Sequence, residues 1–556
     1  MVSSRGPQKS YKITGAGNYQ DVTVKNIRSS QKMTKDENTQ TRREFLHSVG
    51  DIGGTAAVYQ AMISMGLLMP GDAAGAELRN QWETRVNQLA TGVKPTVAVL
   101  GGGISGLCVG YELKKAGFPF FVVEARQRPG GRSHTIRSGS IVDEVDSQQT
   151  CTFDNEEELY FNAGPARISQ HHSNLLAYCG ELNVPLQALV NDNRGAYIHD
   201  SAAFGGTPVR AREVITAMRG NITELLAKAI NANALNGDIS IDERSFVLDV
   251  LRDYGNLNYN FKYTGSKPAG ILSGTGGLTP WQSIQPLNLN DFFFDTSVPF
   301  RVNFGESYNQ AATMMQPVGG MDRIAYAFAN ELKEELYYGA EVTAMRRAGN
   351  RVRLEGRANG AEGAVEVDYA VVAMPPSVIK DIPNDFSLST RNAIAEVGYA
   401  KPIKIAFQSP RFWETDEQIY GGISWTDAEI LQIWYPSGGF GQDKGIILGS
   451  YLFDGAHAEN FANLSVEARK EFTLAAGEKV HPQYRQNLSR GISVAWNKVP
   501  YSLGGWAKST PSSVLQQPDG PFLFAGDHLT YLHGWQEGAV ISSLNALNNL
   551  LDIMEV

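Results

Sequence analysis

Three closely spaced glycines near residue 100 have the spacing that a dinucleotide-binding turn requires. Gly101 would allow a tight turn, Gly103 would let the backbone approach a pyrophosphate, and Gly106 would let a helix pack closely on a sheet. The helix would begin at Ile104 and Ser105, and its first N–H groups would face the phosphates. This pattern predicts a strand, a turn and a helix that together hold the ADP half of a dinucleotide.

An acidic residue lies where such a turn needs one. Glu124 follows the apolar run 120–123 and comes about 20 residues after the glycines, where its carboxylate can accept hydrogen bonds from a ribose hydroxyl. The strand, the glycine turn, the helix, the second strand and the acid occur in the expected order. The sequence therefore predicts nucleotide binding, and the alternative is an ordinary glycine turn in a βα unit.

The composition limits the kind of protein that this chain can be. With 556 residues, of which 42% are hydrophobic, the chain is too long for one core and is expected to form two or three domains. Its net charge of −9, from 49 basic and 58 acidic residues, disfavours nucleic acid and anionic membrane surfaces as partners. Cys108, Cys151 and Cys179 are odd in number and widely spaced, which argues against a disulfide framework or a zinc site, so no metal is expected.

Residues 1–90 differ from the rest and are predicted to form a leader. Residues 1–40 are polar and are predicted to be disordered. Residues 41–46 (TRREFL) and the apolar run 56–69 together resemble a twin-arginine export signal, with a cleavage site expected at 73–76. We therefore expect a periplasmic or secreted protein; the alternative is a retained amphipathic helix on a cytoplasmic protein. The run is shorter than the roughly 20 residues that span a bilayer, so no membrane span is predicted.

Hydrophobic periodicity organises the remainder of the chain. Helical patterns occupy much of 171–310, and a second nucleotide-type signal lies at 317–322. A strand that ends in an acid at 522–527, followed by a helix at 538–551, closes the chain. Because this strand is far in sequence from the glycine turn, we expect a discontinuous cofactor domain. The other predicted helices are 173–182, 211–231 and 241–254, and the other predicted strands are 341–346, 351–355, 369–374, 403–407, 446–452 and 492–496.

Six short motifs occur along the chain: the glycine turn 101–106, Glu124-Ala125-Arg126, Gly130-Gly131-Arg132, Gly319-Gly320-Met321-Asp322, residues 371–375 (VVAMP), and Ala525-Gly526-Asp527 with residues 534–539 (GWQEGA). In this order they resemble the motifs of the flavin amine oxidase family, which includes monoamine oxidases, polyamine oxidases and L-amino acid oxidases. The resemblance covers residues 94–551 and is far more specific than any single motif.

The resemblance implies an α/β fold with a discontinuous, Rossmann-like FAD domain, a mixed-sheet substrate domain and a helical insertion. The FAD domain would comprise residues 94–167, 312–383 and 510–551. Residues 168–311 would form the helical domain, and residues 384–509 would form the substrate-binding domain.

The resemblance also implies FAD as the cofactor. Glu124 would bind the adenosine ribose, and Val342 would contact the adenine through its backbone. Arg126 and Arg132 would face the pyrophosphate and the flavin; beside a glycine turn such charge-assisted contacts are favoured over the alternative of solvated surface arginines. Asp527 would bind the ribitol, but the family usually has Glu there, so this bond is expected to be shifted or bridged by water. The other predicted cofactor contacts are Gly101, Gly103, Ile104, Ser105, Gly106, Ala125, Gly131, Gly164, Pro165, Ala166, Arg167, Gly526 and Trp535.

Three features resemble the L-amino acid oxidase branch in particular. Arg167, in the sequence Gly-Pro-Ala-Arg, matches the arginine that binds a substrate carboxylate, and Tyr451 matches a tyrosine that supplies a second donor. A carboxylate that enters a dry pocket needs such a fixed partner, because its desolvation is otherwise too costly. Gly534 would accept the substrate amino group at its carbonyl, and Trp535 would form one wall. The alternatives are a structural salt bridge for Arg167 and core packing for Tyr451 and Trp535.

Two further positions bear on catalysis. Lys404 alternates with apolar residues in a strand and matches the family lysine that holds a water near the flavin, so Lys404 and Trp535 are the predicted catalytic residues. The alternative for Lys404 is a surface lysine on an edge strand. Trp506 matches the aromatic wall opposite Trp535. The residue before it attaches the flavin in monoamine oxidases, where it is a cysteine; here it is Gly505, so FAD is expected to bind without a covalent link.

These assignments predict the oxidative deamination of L-amino acids to 2-oxo acids, with O2 as the acceptor and with ammonia and hydrogen peroxide as products. Three alternatives stay open: an amine or polyamine oxidase, an amino acid 2-monooxygenase that forms an amide, and a binding protein without turnover. The expected partners are a small L-amino acid and O2, and the expected assembly is a homodimer.

Overall fold

The computed structural model describes residues 70–89, 94–274, 277–293, 297–453 and 455–554. The predicted disordered tail, the twin-arginine motif and the apolar run after it lie outside the described residues. Residues 73–76, where a cleavage site is predicted, lie within the first described helix. In the described part of the chain, the helices are either too short or too polar to cross a bilayer.

The amino-terminal part contains the glycine-turn unit followed by short hairpins. The strand, turn, helix and second strand that the sequence predicts here are confirmed. The elements are α1 (Pro70–Gln88), β1 (Val97–Leu100), α2 (Ile104–Lys115), β2 (Phe120–Glu124), β3 (Thr135–Ile136), β4 (Ile141–Glu144), β5 (Ser147–Thr150), β6 (Phe161–Asn162) and α3 (Ser173–Glu181).

The next segment combines two long helices with short strands. Helix α4 has the predicted bounds, and α5 begins as predicted because Ser240 and Glu243 form a reciprocal capping box at its start. The elements are β7 (Leu186–Leu189), β8 (Tyr197–His199), β9 (Val209–Arg210), α4 (Ala211–Asn231), α5 (Ile241–Gly255), β10 (Ile271–Ser273), β11 (Gln282–Ser283), α6 (Asn290–Phe293) and α7 (Val298–Asn303).

The next segment contains two strands, β13 and β17, that pair with β1 and β2 of the glycine-turn unit. The predicted strands at 341–346, 351–355 and 369–374 are confirmed with shifted ends. The elements are β12 (Met314–Pro317), α8 (Asp322–Glu331), β13 (Leu336–Tyr338), β14 (Ala340–Ala348), β15 (Arg351–Ala358), β16 (Ala361–Val367), β17 (Tyr369–Val372), α9 (Pro376–Ile379) and α10 (Leu388–Glu396).

The carboxy-terminal part holds most strands of a second sheet and the final helix. That helix begins two residues before the predicted start. The elements are β18 (Ile403–Pro410), α11 (Phe412–Thr415), β19 (Gly422–Thr426), β20 (Gln432–Tyr435), β21 (Lys444–Leu452), α12 (Ala456–Ala462), α13 (Val466–Gly477), α14 (Tyr484–Asn487), β22 (Ser489–Ala495), β23 (Phe522–Phe524) and α15 (Gln536–Met554).

A five-stranded parallel sheet forms the centre of the first domain, in the order β13-β2-β1-β17-β23. All four residues of β1 are buried, because a parallel sheet is covered on both faces. Val97 and Val99 pack into one core with α2, α8 and α15, whereas Ala98 and Leu100 pack into another with β14 and β15. The strands come from three distant segments of the chain, so the predicted discontinuity is confirmed.

A seven-stranded mixed sheet forms the second layer, in the order β22-β18-β21-β20-β19-β8-β9. Most neighbours are antiparallel, but β8 pairs with β19 in parallel. Strands β8 and β9 belong to the segment 168–311, so this mainly helical segment also supplies two strands to the sheet. The sheet brings β18, with Lys404, beside β21, with Tyr451.

Helix α1, which ends the predicted leader, packs on the first domain. Trp82 is buried, with its ring centroid 6.1 Å from that of Phe118. The Arg79 guanidinium lies 4.4 Å from the ring centroid of Tyr178 and forms an ion pair with Glu181 at 2.5 Å. These contacts of Arg79 and Trp82 make this helix part of the folded body.

Candidate active site

The glycine turn brings the start of α2 close to the end of β1. Gly101 has φ of 112°, which favours glycine, and a Cβ atom at Gly106 would lie 1.9 Å from the Gly101 carbonyl oxygen. At Gly103, in contrast, a Cβ atom would have nothing within 4 Å. Gly103 is the N-cap residue of α2 and supplies no side-chain cap, so no capping side chain occupies the first N–H groups of the helix.

Glu124 lies at the end of β2, beside this turn, and is buried. One carboxylate oxygen accepts a hydrogen bond from the Gly102 N–H at 2.8 Å, and the other accepts one from the Arg126 N–H at 2.9 Å. These bonds fix the orientation of the carboxylate while each oxygen keeps a further lone pair. This is the placement that the predicted ribose contact requires.

Two cavities meet at Arg132. The first, which we call the turn cavity, contains about 1240 Å³ of empty space, part of which is open to solvent. The second, which we call the tryptophan cavity, contains about 730 Å³ of empty space, also partly open to solvent. The predicted residues that line the turn cavity are Gly101, Gly103, Glu124, Ala125, Arg126, Gly131, Arg132 and Val342. The predicted residues that line the tryptophan cavity are Ile104, Ser105, Arg132, Gly164, Pro165, Lys404, Tyr451, Trp506, Asp527, Gly534 and Trp535.

Four predicted residues belong to neither lining. Gly106 lies under the glycine turn, and the Gly526 N–H donates to the Ser542 hydroxyl at 2.9 Å. Ala166 lines a neighbouring cavity together with Trp434. Arg167 lies against the same Trp434. The structure thus places Gly106 and Gly526 behind the site and Ala166 on the neighbouring cavity, whereas Arg167 lies against Trp434 and outside both linings.

Arg132 and Asp527 join the first and last parts of the chain. Arg132 Nη2 lies 2.5 Å from Asp527 Oδ1, and Arg132 Nη1 donates to the Gly505 carbonyl at 2.6 Å. Burial opposes ionisation of Asp527, but the Arg132 charge outweighs it and the pKa of this carboxyl lies below its usual value. Its other oxygen accepts a hydrogen bond from the Gly534 N–H at 3.0 Å, which orients the loop before Trp535.

Lys404 is a buried lysine, 3% exposed, on the wall of the tryptophan cavity. Its Nζ atom donates to the carbonyls of Asn162 at 3.1 Å and Gly164 at 2.5 Å, and lies 4.6 Å from the ring centroid of Tyr451. Burial, with a smaller contribution from the nearby Arg167 charge, lowers the pKa of Lys404 to about 7. The alternative of an exposed edge-strand lysine is therefore wrong.

Arg167 sits beside two aromatic rings. Its guanidinium carbon is 4.6 Å from the ring centroid of Trp434 and 5.5 Å from that of Phe304, and Nη1 donates to Asn191 Oδ1 at 2.7 Å. Burial lowers the pKa of Arg167 to about 10, although the neighbouring Tyr451 opposes this shift. No carboxylate of the described residues lies within 4.0 Å of the Arg167 guanidinium, so the alternative of a structural salt bridge is wrong. The same distance limit excludes a described carboxylate beside the Lys404 ammonium.

Two tryptophans line the opposite part of the cavity. Trp506 packs over Gly534, where a Cβ atom would lie 3.2 Å from Trp506 Cγ. The Trp535 ring meets His172 edge-on, with 4.8 Å between the ring centroids. Both rings also face the cavity, so they are wall residues and not fully buried core residues.

Two residues of this environment were not predicted. Trp434 stands in a short alternating strand and could have been singled out by its aromatic type beside a candidate site. Asn191 lies in the loop after β7, and nothing in the local sequence marks it. The structure alone brings both within contact distance of Arg167.

The two cavities fit a flavin nucleotide. The uncapped start of α2 and the free space at Gly103 leave room for phosphates beside N–H donors. In the tryptophan cavity, the buried Gln536 side chain donates to Ser133 through Nε2, while its Oε1 has no partner among the described residues. A buried amide oxygen in this state calls for a hydrogen-bonding ligand.

Comparison of the sequence with known families gives a match over residues 104–551 to the family described as flavin containing amine oxidoreductase. The chain belongs to this family. A flavin is therefore the cofactor that the family implies for the two cavities.

Relatives within the flavin-containing amine oxidoreductases carry L-amino-acid oxidase names. The chain is 28% identical to the Bacillus subtilis (strain 168) protein named "Putative L-amino-acid oxidase YobN", across 81% of this chain and 93% of that protein. It is 27% identical to an L-amino-acid oxidase of Siganus canaliculatus, across 82% of this chain and 85% of that protein.

Solved structures with the same fold carry amine oxidase names. A putrescine oxidase variant superposes with a TM-score of 0.55 at 17% identity, across 83% of this chain and 99% of that one. Cyclohexylamine oxidase from Brevibacterium oxydans IH-35A gives a TM-score of 0.55 at 16% identity, across 83% of this chain and 100% of that one. At these identities the likeness establishes the fold and not the substrate.

If the glycine turn binds a flavin, a substitution at Gly103 should reduce flavin binding without preventing folding. Gly103→Leu should fold, because its Cβ position is open, but its side chain would fill the space beside the first N–H groups of α2. We expect bound flavin per mole of protein to fall by roughly tenfold or more, equivalent to about 1.4 kcal/mol. Flavin absorbance of the purified protein, together with a thermal melt, measures both properties.

Gly180→Leu is the matched control. Gly180 lies in α3, and a Cβ atom there also has nothing within 4 Å. This variant should keep its flavin. Full flavin content in Gly103→Leu would contradict the assignment of the turn.

Proposed function

We propose that this protein catalyses the FAD-dependent oxidative deamination of L-amino acids. In the balanced reaction, the amino acid, O2 and water give a 2-oxo acid, ammonia and hydrogen peroxide. The observation that carries the proposal is that two cations, Arg167 and Lys404, lie against the same Trp434 ring without a carboxylate of the described residues within 4.0 Å of either. The names of the two relatives support the same conclusion.

A buried lysine and a half-buried arginine without a nearby carboxylate favour an anionic ligand. Burial disfavours the charged form of each group, and the Arg167 charge also disfavours the charged form of Lys404. A carboxylate that enters this space would relieve both costs, since charge-assisted bonds to a guanidinium are strong and directional. Tyr451, whose phenol stays protonated because burial raises its pKa to about 12, supplies a further donor.

The second candidate is an amine oxidase, the class that the names of the two structural neighbours suggest. A simple amine binds as a cation or as a neutral base and brings no negative charge. Near Arg167 and Lys404 its cationic form would be repelled, by about 4 kcal/mol per unit charge at 4 Å in a typical protein environment. The electrostatics of the cavity therefore favour an amino acid over an amine.

The proposed roles follow from the placement of the side chains. Arg167 and Tyr451 hold the carboxylate, and the Gly534 carbonyl accepts a hydrogen bond from the amino group. Trp506 and Trp535 form walls that exclude water and restrict the orientation of the substrate. When bound, FAD supplies the acceptor for the two electrons and the hydrogen removed from the α-carbon, and O2 reoxidises it. Lys404 is the residue that we assign to aid this reoxidation.

The FAD is proposed to be held without a covalent bond. At Gly505, which replaces the attachment cysteine of monoamine oxidases, a Cβ atom would lie 2.4 Å from Pro402 Cγ. The position therefore offers neither a thiol nor room for one. Acid precipitation should release all of the flavin into the supernatant, where chromatography should identify it as FAD. Yellow colour that stays in the pellet would contradict this prediction.

The carboxylate anchor predicts a large effect of Arg167→Met. The substrate carboxylate would lose its charged partner in a partly dry cavity, so kcat/KM for the best L-amino acid should fall by about 2–5 kcal/mol, or roughly thirty- to several-thousand-fold. A peroxide-coupled assay with the twenty L-amino acids, their D-enantiomers and simple amines measures this loss and identifies the substrate class. Product analysis separates a 2-oxo acid from an amide.

Arg210→Met provides a matched control for Arg167→Met. Arg210 also lies over an aromatic ring, 4.2 Å from the centroid of Tyr197, and also bonds a neutral oxygen, the carbonyl of Gly195. Its aromatic neighbour is not shared with Lys404, whereas Trp434 lies against both Arg167 and Lys404. Near-normal efficiency of Arg167→Met on the best amino acid would refute the anchor, as would an equal loss in Arg210→Met.

The pKa of Lys404 predicts a pH dependence of anion binding. With a pKa of about 7 the ammonium is charged below neutral pH and neutral above it, whereas a benzoate ion stays charged throughout. The Kd of benzoate should therefore rise between pH 6 and 8, by about fivefold if the bound anion raises the pKa of Lys404 by one unit. Calorimetric titration measures this change. In Lys404→Met the rise should disappear, and an unchanged rise would exclude Lys404 as its source.

Two expectations from the sequence stay predictions. Export by the twin-arginine route rests on residues 41–69, which lie outside the described residues. The homodimer rests on family resemblance. Fractionation of the producing cell and light scattering of the purified protein test them.

A further inference from the structure

We propose that Asn191 is a positioning residue that orients Arg167 for the substrate carboxylate without neutralising its charge. This inference rests on the proposed function. Asn191 lies in the loop after β7, is 5% exposed, and belongs to none of the motifs that the sequence displays.

The geometry fixes which end of the Asn191 amide faces Arg167. Asn191 Nδ2 donates to the backbone carbonyl of Gln310 at 2.7 Å, and a carbonyl can accept only from the NH2 end of an amide. Oδ1 therefore faces the guanidinium and accepts from Nη1 at 2.7 Å. If the amide were reversed, Oδ1 would face the Gln310 carbonyl oxygen, and Nδ2 would face the N–H groups of the Arg167 guanidinium.

The choice of an amide has an electrostatic consequence. An amide oxygen accepts a hydrogen bond from a guanidinium but carries no net charge, so Arg167 keeps its charge for a ligand. The aromatic neighbours Trp434 and Phe304 are equally uncharged. A carboxylate at position 191 would have nearly the same shape but would pair with Arg167 and compete with the substrate.

The same amide ties Arg167 to a distant segment. Gln310 follows Asn309, which bonds the His171 ring at 2.7 Å, and Tyr308, whose ring lies 4.1 Å from that of His171. The segment 308–310 is where the chain returns from the helical insertion. Arg167 is thus held by a contact that only the assembled fold provides.

The test compares Asn191→Asp with Asn191→Ala in the FAD-loaded protein, using benzoate and 2-phenylethylamine as probes in calorimetric titrations. For Asn191→Asp we expect the Kd of benzoate to rise about tenfold or more and that of the amine to stay unchanged or fall. Asn191→Ala should show a smaller rise for benzoate, about threefold, because it loses orientation but adds no charge. In the turnover assay, the KM of Asn191→Asp for the amino acid should rise, whereas its kcat should stay within about threefold of the kcat of the unmodified protein.

Asn193→Asp is the matched control. It adds the same charge two residues away, at a side chain that donates to the carbonyls of Tyr420 and Gly421, and should leave both probes unaffected. Equal weakening of both probes by Asn191→Asp would show a merely structural role and overturn the inference.

Arg167→Met, titrated in parallel, separates the two proposals. If it leaves benzoate binding intact, the carboxylate anchor fails and the proposed function fails with it. If it weakens benzoate binding while Asn191→Asp does not, only the positioning role is overturned.

Discussion

The Arg167 guanidinium and the Lys404 ammonium lie against the same tryptophan ring, and the described residues supply no carboxylate within 4.0 Å of either of them. Burial of a charge is costly unless a counter-charge or a ligand compensates for it. The fold meets part of that cost with neutral groups: carbonyls for Lys404, and an amide with aromatic rings for Arg167. These neutral groups supply no negative charge. The proposed ligand is therefore one that carries a carboxylate.

The architecture brings these cations to the flavin cavities through contacts between distant parts of the chain. Lys404 comes from the mixed sheet, Arg167 from the segment that leaves the first domain, and Asn191 from the start of the insertion. Arg132 and Asp527 connect the glycine-turn region to the last strand and hold the loop that carries Trp535. The cofactor region and the substrate region are consequently parts of one cavity system that meets at Arg132.

The fold and the substrate are separate questions for this family. Structures named as amine oxidases share the architecture at low identity, whereas the relatives closer in sequence are named L-amino-acid oxidases. A scaffold shared by both cannot decide between a cation and a zwitterion. The proposed choice of an amino acid rests instead on the charges of Arg167 and Lys404, because an amino acid has a carboxylate that a simple amine lacks.

The sequence by itself determined the elements whose signals are local: the glycine turn, the buried strand before it, helix α4 with its two ends, and the separation of the last strand from the first. Residue types in short motifs also marked Arg167, Lys404 and the two tryptophans as candidates. Only the tertiary structure decided that Arg167 lacks a carboxylate partner among the described residues, that Asp527 pairs with Arg132, and that Asn191 and Trp434 flank Arg167. These facts depend on side chains that are far apart in the chain, and no periodicity or spacing encodes which of them meet when the sheets assemble.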